Sequence, residues 1–208
     1  IKKKIKSPII LIASKKLITR QAKILKKSIN FNIIDELEII KKKNNLKKIN
    51  LIDVDLKQSY GFSKITPKSN HYISTCFDIA IKLLKNNVSN KFINGPISKR
   101  TFLKKKFNGI TEYIADKTKT KKFAMIIYNK NLSVCPLTTH LPIKYISPKI
   151  NKLEISNKVK LINNFWKKKF KKKVKIGVTG LNPHCESIDN FNEDKKIILP
   201  TIKKLKKL

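Results

Sequence analysis

Apolar residues along the chain fall into two kinds of run. Ile9 to Ala13 is a short β-branched run, the pattern of a buried strand. Lys15 to Ser28 follows, with Leu17, Ile18, Ala22, Ile24 and Leu25 close to a helical period. Asn50 to Val54 reads as a second strand. Tyr72 to Leu84 reads as a helix, with Ile73, Phe77, Ala80, Ile81 and Leu84 on one face. Lys91 to Asn94 reads as a strand that ends at Gly95-Pro96, with a short helix from Ser98. Phe123 to Tyr128 and Leu132 to Leu137 have the spacing of two strands joined by a hairpin-like Asn129-Lys130-Asn131. Ile155 to Phe170 is a helix, Val174 to Thr179 a strand ending in Gly180, and Asp194 to Leu208 a helix.

Strands that alternate with helices predict an α/β fold with a mostly parallel sheet. The one adjacent strand pair makes that sheet mixed. No internal repeat or low-complexity linker interrupts the pattern. The lysine clusters Lys41 to Lys43, Lys104 to Lys106 and Lys167 to Lys173 fall where loops and helix ends are expected. With 208 residues, 40% of them hydrophobic, the chain can bury a core in one domain or two small ones.

The formal net charge of +36 changes this picture less than its size suggests. Of 49 basic residues only Arg20 and Arg100 are arginine, which leaves 49 − 2 = 47 lysines. Surfaces that grip phosphates or base edges use arginine for its planar, bidentate fork. Lysine, isoleucine and asparagine are abundant together, and their codons are rich in A and T. The charge therefore reads as a compositional bias on solvated positions, with a basic nucleic-acid-binding protein as the competing reading. On either reading a positive field draws in anionic ligands, less so as salt rises.

Cys76, Cys135 and Cys185 are few, odd in number and widely spaced, which fits a reducing cytoplasm. Ile1 to Lys6 is basic, but the apolar run Pro8 to Ala13 is too short for a signal peptide. No stretch approaches the ~18 apolar residues of a membrane helix. The start at Ile1, and the end at Leu208 inside a helix-like segment without a stop signal, suggest a fragment.

The candidate chemistry centres on two of the three histidines. His140 lies in Thr138-Thr139-His140-Leu141-Pro142, after one predicted strand. His184 lies in Gly180-Leu181-Asn182-Pro183-His184, after another. In open α/β sheets ligands bind beyond the carboxyl ends of the strands, and imidazole is a common ligand for divalent metals. Pro142 and Pro183 stiffen the two turns. The histidines are either metal ligands, with a third from elsewhere, or loop residues satisfied by hydrogen bonds. His71, at the start of a predicted helix, reads as a surface or capping residue.

Two glycine turns open helices. Gly95-Pro96-Ile97-Ser98-Lys99 is either an anion site or an ordinary corner. In Gly109-Ile110-Thr111-Glu112-Tyr113, Thr111 either donates to a phosphate or carboxylate or caps its helix. No Walker-type loop and no G-x-G-x-x-G occurs.

Taken in order, these four segments resemble the successive signatures of the 4-hydroxythreonine-4-phosphate dehydrogenases, and the likeness runs along nearly the whole chain. The resemblance implies an α/β/α fold of the isocitrate and isopropylmalate dehydrogenase type. Residues 1–208 would form an incomplete dehydrogenase holding parts of two α/β/α subdomains. It implies a cytoplasmic homodimer, with the active site near the interface, in pyridoxal phosphate (vitamin B6) biosynthesis. The implied reaction is NAD-dependent oxidation of 4-phosphooxy-L-threonine, then decarboxylation to 3-amino-2-oxopropyl phosphate. The implied cofactors are NAD and a divalent metal (zinc, magnesium or cobalt). His140 and His184 match two of three metal histidines, and Thr111 and the position of Ile110 match substrate contacts. No nucleic-acid or membrane partner is implied.

The chain departs from the family pattern in three places. Ile110 stands where the family has a substrate-contacting histidine. Cys185-Glu186-Ser187 stands where the family reads Ala-Gly-Glu. The family's N-terminal glycine-rich segment and its C-terminal part, with the third metal histidine, are missing. Residues 1–208 alone are therefore expected to be inactive. A related dehydrogenase for another phosphorylated hydroxy acid is the alternative within the same class.

Overall fold

Ile9 to Ala13 and Ile49 to Asp53 have the β-branched, apolar composition of buried strands, and they pair. A computed structural model describes residues 7–41, 49–58, 60–188 and 190–206. The expectations for Ile1 to Lys6, for Lys42 and Lys43, and for Lys207 and Leu208 lie outside those residues. The chain divides into two units, Ile1–Lys106 and Phe107–Leu208.

In the first unit, β1 (Ile9–Ala13), β2 (Asn32–Ile33) and β3 (Ile49–Asp53) form a parallel sheet in the order β1-β3-β2. Ile10 lies opposite Asn50 and Ile12 opposite Ile52, so all four share one face. There Ile10, Ile12 and Ile52 pack with Ile39 and Ile40 of α2 (Glu36–Lys41) and with Ile79 and Leu83 of α3 (Asn70–Lys85). Leu51 points to the other face and is fully buried, so both faces of the central strand are covered.

Asn50 is the polar exception in this core, fully buried at the centre of the sheet. Its Nδ2 donates to the Ile9 carbonyl at 3.1 Å, and its Oδ1 accepts from Asn32 Nδ2 at 3.2 Å. One amide thus bonds to both neighbouring strands, which offsets the cost of burying it.

The turn after β1 opens α1 (Lys15–Ile24). Ser14 caps this helix, its Oγ accepting from Leu17 N–H at 3.3 Å. Asp53, at the end of β3, accepts the Lys15 N–H at 2.8 Å. The Ser14 N–H donates to the Tyr72 hydroxyl at 3.0 Å. Burial pushes the Tyr72 phenol up to about 12, against the lowering effect of that Ser14 N–H. Burial also raises the thiol of neighbouring Cys76.

Helix ends depart modestly from the predicted ones. The structure ends α1 at Ile24 rather than Ser28, because Lys26 takes a left-handed conformation (φ 51°). It extends α3 to Lys85, followed by left-handed Asn87 (φ 54°). α4 (Lys99–Leu103) stops on left-handed Lys104 (φ 47°), where glycine is the usual choice. The unpredicted β2 and α2 are too short, at two and six residues, to show a period.

The second unit contains α5 (Ile110–Lys117), α6 (Lys152–Phe170) and α7 (Leu199–Leu205). Asn151 caps α6, accepting from Glu154 N–H at 2.9 Å, and left-handed Lys171 (φ 55°) ends it. Ile150, Ile155 and Ile198 form the core, with Leu137, Ile146, Val159, Val178 and Ile202 packed against them.

Three predicted strand regions are corrected here. Lys91 to Asn94 and Val174 to Thr179 join no ladder among the described residues. Phe123 to Tyr128 and Leu132 to Leu137 meet only in one antiparallel bridge, Ile127 with Val134. The alternation in these runs specifies extended chain and an inward face, and Val178 does reach the core. A ladder also needs a neighbouring backbone, which periodicity does not encode. The predicted helix from Asp194 begins instead as a π-type segment, Asp194–Ile198, ahead of α7. Pro200 explains this, since its ring crowds the preceding turn and it has no N–H to give the ladder.

Asn50→Ala is expected to cost about 1–3 kcal/mol in urea unfolding, through loss of the amide that bridges the strands. Tyr72 gives a second test. A phenol whose folded pKa lies above its unfolded value stabilises fully below about pH 10, and that contribution fades as pH rises through about 12. Tyr72→Phe should abolish a late step in the tyrosinate absorbance titration, and stability should then fall less between those two pH values.

Candidate functional site

The Gly109 to Tyr113 turn and the Thr138 to Pro142 turn come together within the second unit. Gly109 is extended (φ −159°, ψ 178°) and is the N-cap of α5, with its carbonyl accepting the Tyr113 N–H at 3.2 Å. Thr111 therefore sits inside the first turn and does not cap the helix. Its hydroxyl makes no hydrogen bond among the described residues. Ile110 and Thr111 are both half-buried.

Glu112 completes that first turn, where the positive end of the helix favours a carboxylate. Its Oε1 accepts from the Thr139 hydroxyl at 3.0 Å. A Cβ built on buried Gly109 would stand 2.9 Å from Glu112 Oε2 and 3.4 Å from His140 Nε2. The carboxylate and the imidazole thus flank the same bare glycine. His140 is exposed and left-handed (φ 56°), a conformation uncommon outside glycine.

The His184 turn is held in a parallel way. Both oxygens of Asp194 lie 3.3 Å from the Leu181 N–H. Asn182 Oδ1 accepts the His184 N–H at 3.0 Å, and Asn182 Nδ2 donates to the Glu186 carbonyl at 2.7 Å. Asn192 Nδ2 donates to the carbonyl of left-handed Cys185 (φ 54°) at 3.2 Å. The His184 side chain is exposed, as is Glu186. Beside this turn the Ser147 hydroxyl donates to Glu193 and holds that carboxylate below its ordinary range.

Among the described residues no hydrogen bond joins the two histidine turns, and no three His, Cys, Asp or Glu side chains gather as a metal site. The donor chemistry fits a divalent ion as far as it goes, with two imidazoles on stiffened turns. Those two do not complete a ligand set. Gly95-Pro96-Ile97-Ser98-Lys99 leads into α4. Ser98 caps α4 by accepting from Thr101 N–H at 3.4 Å, and a Cβ on Gly95 would meet nothing within 4 Å. His71 is exposed near the start of α3, as expected of a surface residue. The tethering roles of Glu112, Asn182, Asn192 and Asp194 were not legible from the sequence. For Glu112 and Asp194 the only signal was a carboxylate near a helix start, and the two asparagines gave none.

The fold is shared with solved structures. The chain superposes on the crystal structure of 4-hydroxythreonine-4-phosphate dehydrogenase from Klebsiella pneumoniae with a TM-score of 0.80 at 20% identity, covering 97% of this chain and 63% of that one. This likeness shows the α/β fold predicted from the element order. The family described as pyridoxal phosphate biosynthetic protein PdxA matches residues 4–208, and the chain belongs to that family. It is 32% identical over 201 residues to 4-hydroxythreonine-4-phosphate dehydrogenase from Sulfurihydrogenibium sp. (strain YO3AOP1). That match covers 95% of this chain and 61% of the relative, so the chain spans about three fifths of the relative's length. A candidate D-threonate 4-phosphate dehydrogenase from Oceanobacillus iheyensis is 27% identical over 91% of this chain and 58% of its own length. No helix among the described residues is long and apolar enough to cross a membrane.

The packing around Gly180 gives a stability test for the His184 turn. A Cβ there would meet the Cys185 sulfur, Asp194 Oδ1 at 2.9 Å and the Asn182 carbonyl at 3.1 Å. Gly180→Ala is expected to lower stability by about 1–3 kcal/mol in thermal or urea unfolding.

Proposed function

We propose that this chain belongs to an NAD-dependent, divalent-metal-dependent dehydrogenase that oxidises 4-phosphooxy-L-threonine. The product then decarboxylates to 3-amino-2-oxopropyl phosphate in pyridoxal phosphate biosynthesis. The observation that carries this reading is the match to the family along residues 4–208, with all four of its motif segments in order. The geometry supports it by setting the Ile110-Thr111-Glu112 turn against the Thr139-His140 turn. We place the enzyme in the cytoplasm as a homodimer. We read residues 1–208 as parts of two α/β/α subdomains that are inactive without the rest of the enzyme.

His140 and His184 would hold the metal (zinc, magnesium or cobalt), with a third ligand from outside these residues. When bound, such an ion acts as a Lewis acid that lowers the pKa of an alcohol and steadies the charge that develops on decarboxylation. The chain's own contribution is alignment. The Thr111 hydroxyl, which makes no hydrogen bond among the described residues, is suited to donate to the substrate's anionic groups. The backbone N–H groups that open α5 favour the same charge. The positive field of a +36 chain concentrates a phosphorylated substrate and the dinucleotide.

One observation favours a second reading. Ile110 places an apolar side chain where the family presents an imidazole to substrate, and a relative carries a name based on D-threonate 4-phosphate. Oxidation of another phosphorylated hydroxy acid is therefore the competing assignment.

A steady-state assay of the full-length enzyme, followed by NADH absorbance, tests both. With 4-phosphooxy-L-threonine, chelation, His140→Ala and His184→Ala should each lower kcat/KM by at least about 100-fold. Activity indifferent to all three would remove the metal-dependent reading. A higher kcat/KM for D-threonate 4-phosphate than for 4-phosphooxy-L-threonine would transfer the assignment to the second.

A further inference from the structure

We propose that Glu112 is the positioning residue for His140. It fixes the histidine turn through the Thr139 hydroxyl, and its second carboxylate oxygen lies near Gly109, as does the imidazole. The inference rests on the reading of His140 as a metal ligand, and it deepens that reading.

The need for such a residue follows from the backbone. His140 is left-handed, which costs roughly 1–2 kcal/mol outside glycine, and it joins no strand or helix. A strained residue persists only where its surroundings over-determine it. The neighbour next to it in sequence, Thr139, is the one bonded to Glu112. Glu112 is itself rooted in the first turn of an eight-residue helix, so its carboxylate is a fixed point rather than a floating surface charge. That bond bridges 27 positions of sequence and ties the histidine turn to α5.

The second carboxylate oxygen has its own placement. Oε1 is taken by Thr139, and no other hydrogen bond of Glu112 exists among the described residues. Oε2 instead faces the point on Gly109 that His140 Nε2 also faces. The bare glycine leaves that space open to both side chains, and its own φ is extended. Holding the turn at Thr139 restricts where the adjoining imidazole can point, the kind of support an outer partner gives a ligand. Glu112 would thus act on a metal through His140, without touching the ion.

Four variants of the full-length protein separate this role from general stability: Glu112→Ala, Glu112→Gln, Thr139→Val and the Glu112→Ala/Thr139→Val pair. Two readouts are needed. The first is cobalt(II) affinity of the metal-free protein, by calorimetry and by the cobalt absorption spectrum. The second is the His140 Cα and Cβ chemical shifts without metal, which report its left-handed backbone.

Glu112→Ala should weaken cobalt binding by about 10–100-fold and shift the His140 resonances toward ordinary backbone values. Glu112→Gln should keep most of both, because its amide oxygen can accept from the same hydroxyl. Thr139→Val should resemble Glu112→Ala, and the pair should be little worse than either alone. Unchanged His140 shifts and cobalt affinity in Glu112→Ala would overturn the inference, as would fully additive losses in the pair. If the unaltered protein takes up no cobalt, the metal reading of His140 fails, while the His140 shifts still decide whether Glu112 sets the turn. If Glu112→Ala does not fold, Glu112→Gln and Thr139→Val carry the comparison.

Discussion

An irregular turn cannot hold itself. Strands and helices fix their residues through repeated backbone bonds, but the turns that carry His140 and His184 have no such ladder, and each includes a left-handed residue. Their shape depends on side chains fastened from outside the turn. In both cases a carboxylate near the start of a helical segment supplies the fastening, Glu112 for one and Asp194 for the other. Helix starts are rigid and electrostatically favourable to anions, so they make natural anchor points for side chains that must not drift.

The placement of these anchors limits what the site can tolerate. Gly109 and Gly180 are each crowded by the anchoring carboxylate of the adjoining turn and by a side chain of that turn itself. At Gly180 a Cβ would also meet the Asn182 backbone carbonyl, so that glycine is needed for space. The first unit applies the same logic inside its sheet, where the buried Asn50 amide replaces an apolar contact with bonds to two strands. Polar side chains bonded on two sides thus stabilise the parts of this chain that backbone periodicity leaves open.

Periodicity in the sequence revealed the elements that are long or apolar enough to show it. β1, β3, α3 and α6 stand close to where their patterns place them. The runs at Lys91, Phe123, Leu132 and Val174 also look like strands, yet their extended backbones find at most one bridge. Pattern specifies a residue's conformation and inward face, whereas pairing depends on a second segment of chain. The site divides along the same line. The histidines could be found because turns, prolines and apolar runs mark where they sit. The tether from Glu112 to Thr139 could not, because residue types carry no direction across 27 positions.

The helix ends carry a consequence of their own. The chain has only five glycines, and lysine occupies left-handed stops at Lys104 and Lys171, as well as the left-handed positions Lys26, Lys105 and Lys119. A cation at the carboxyl end of a helix recovers part of the strain through the dipole, so lysine is a serviceable but second-best terminator. Salt weakens that recovery while leaving the steric strain untouched. The helix termini of such a molecule should therefore fray sooner in concentrated electrolyte than those of a protein whose helices stop on glycine.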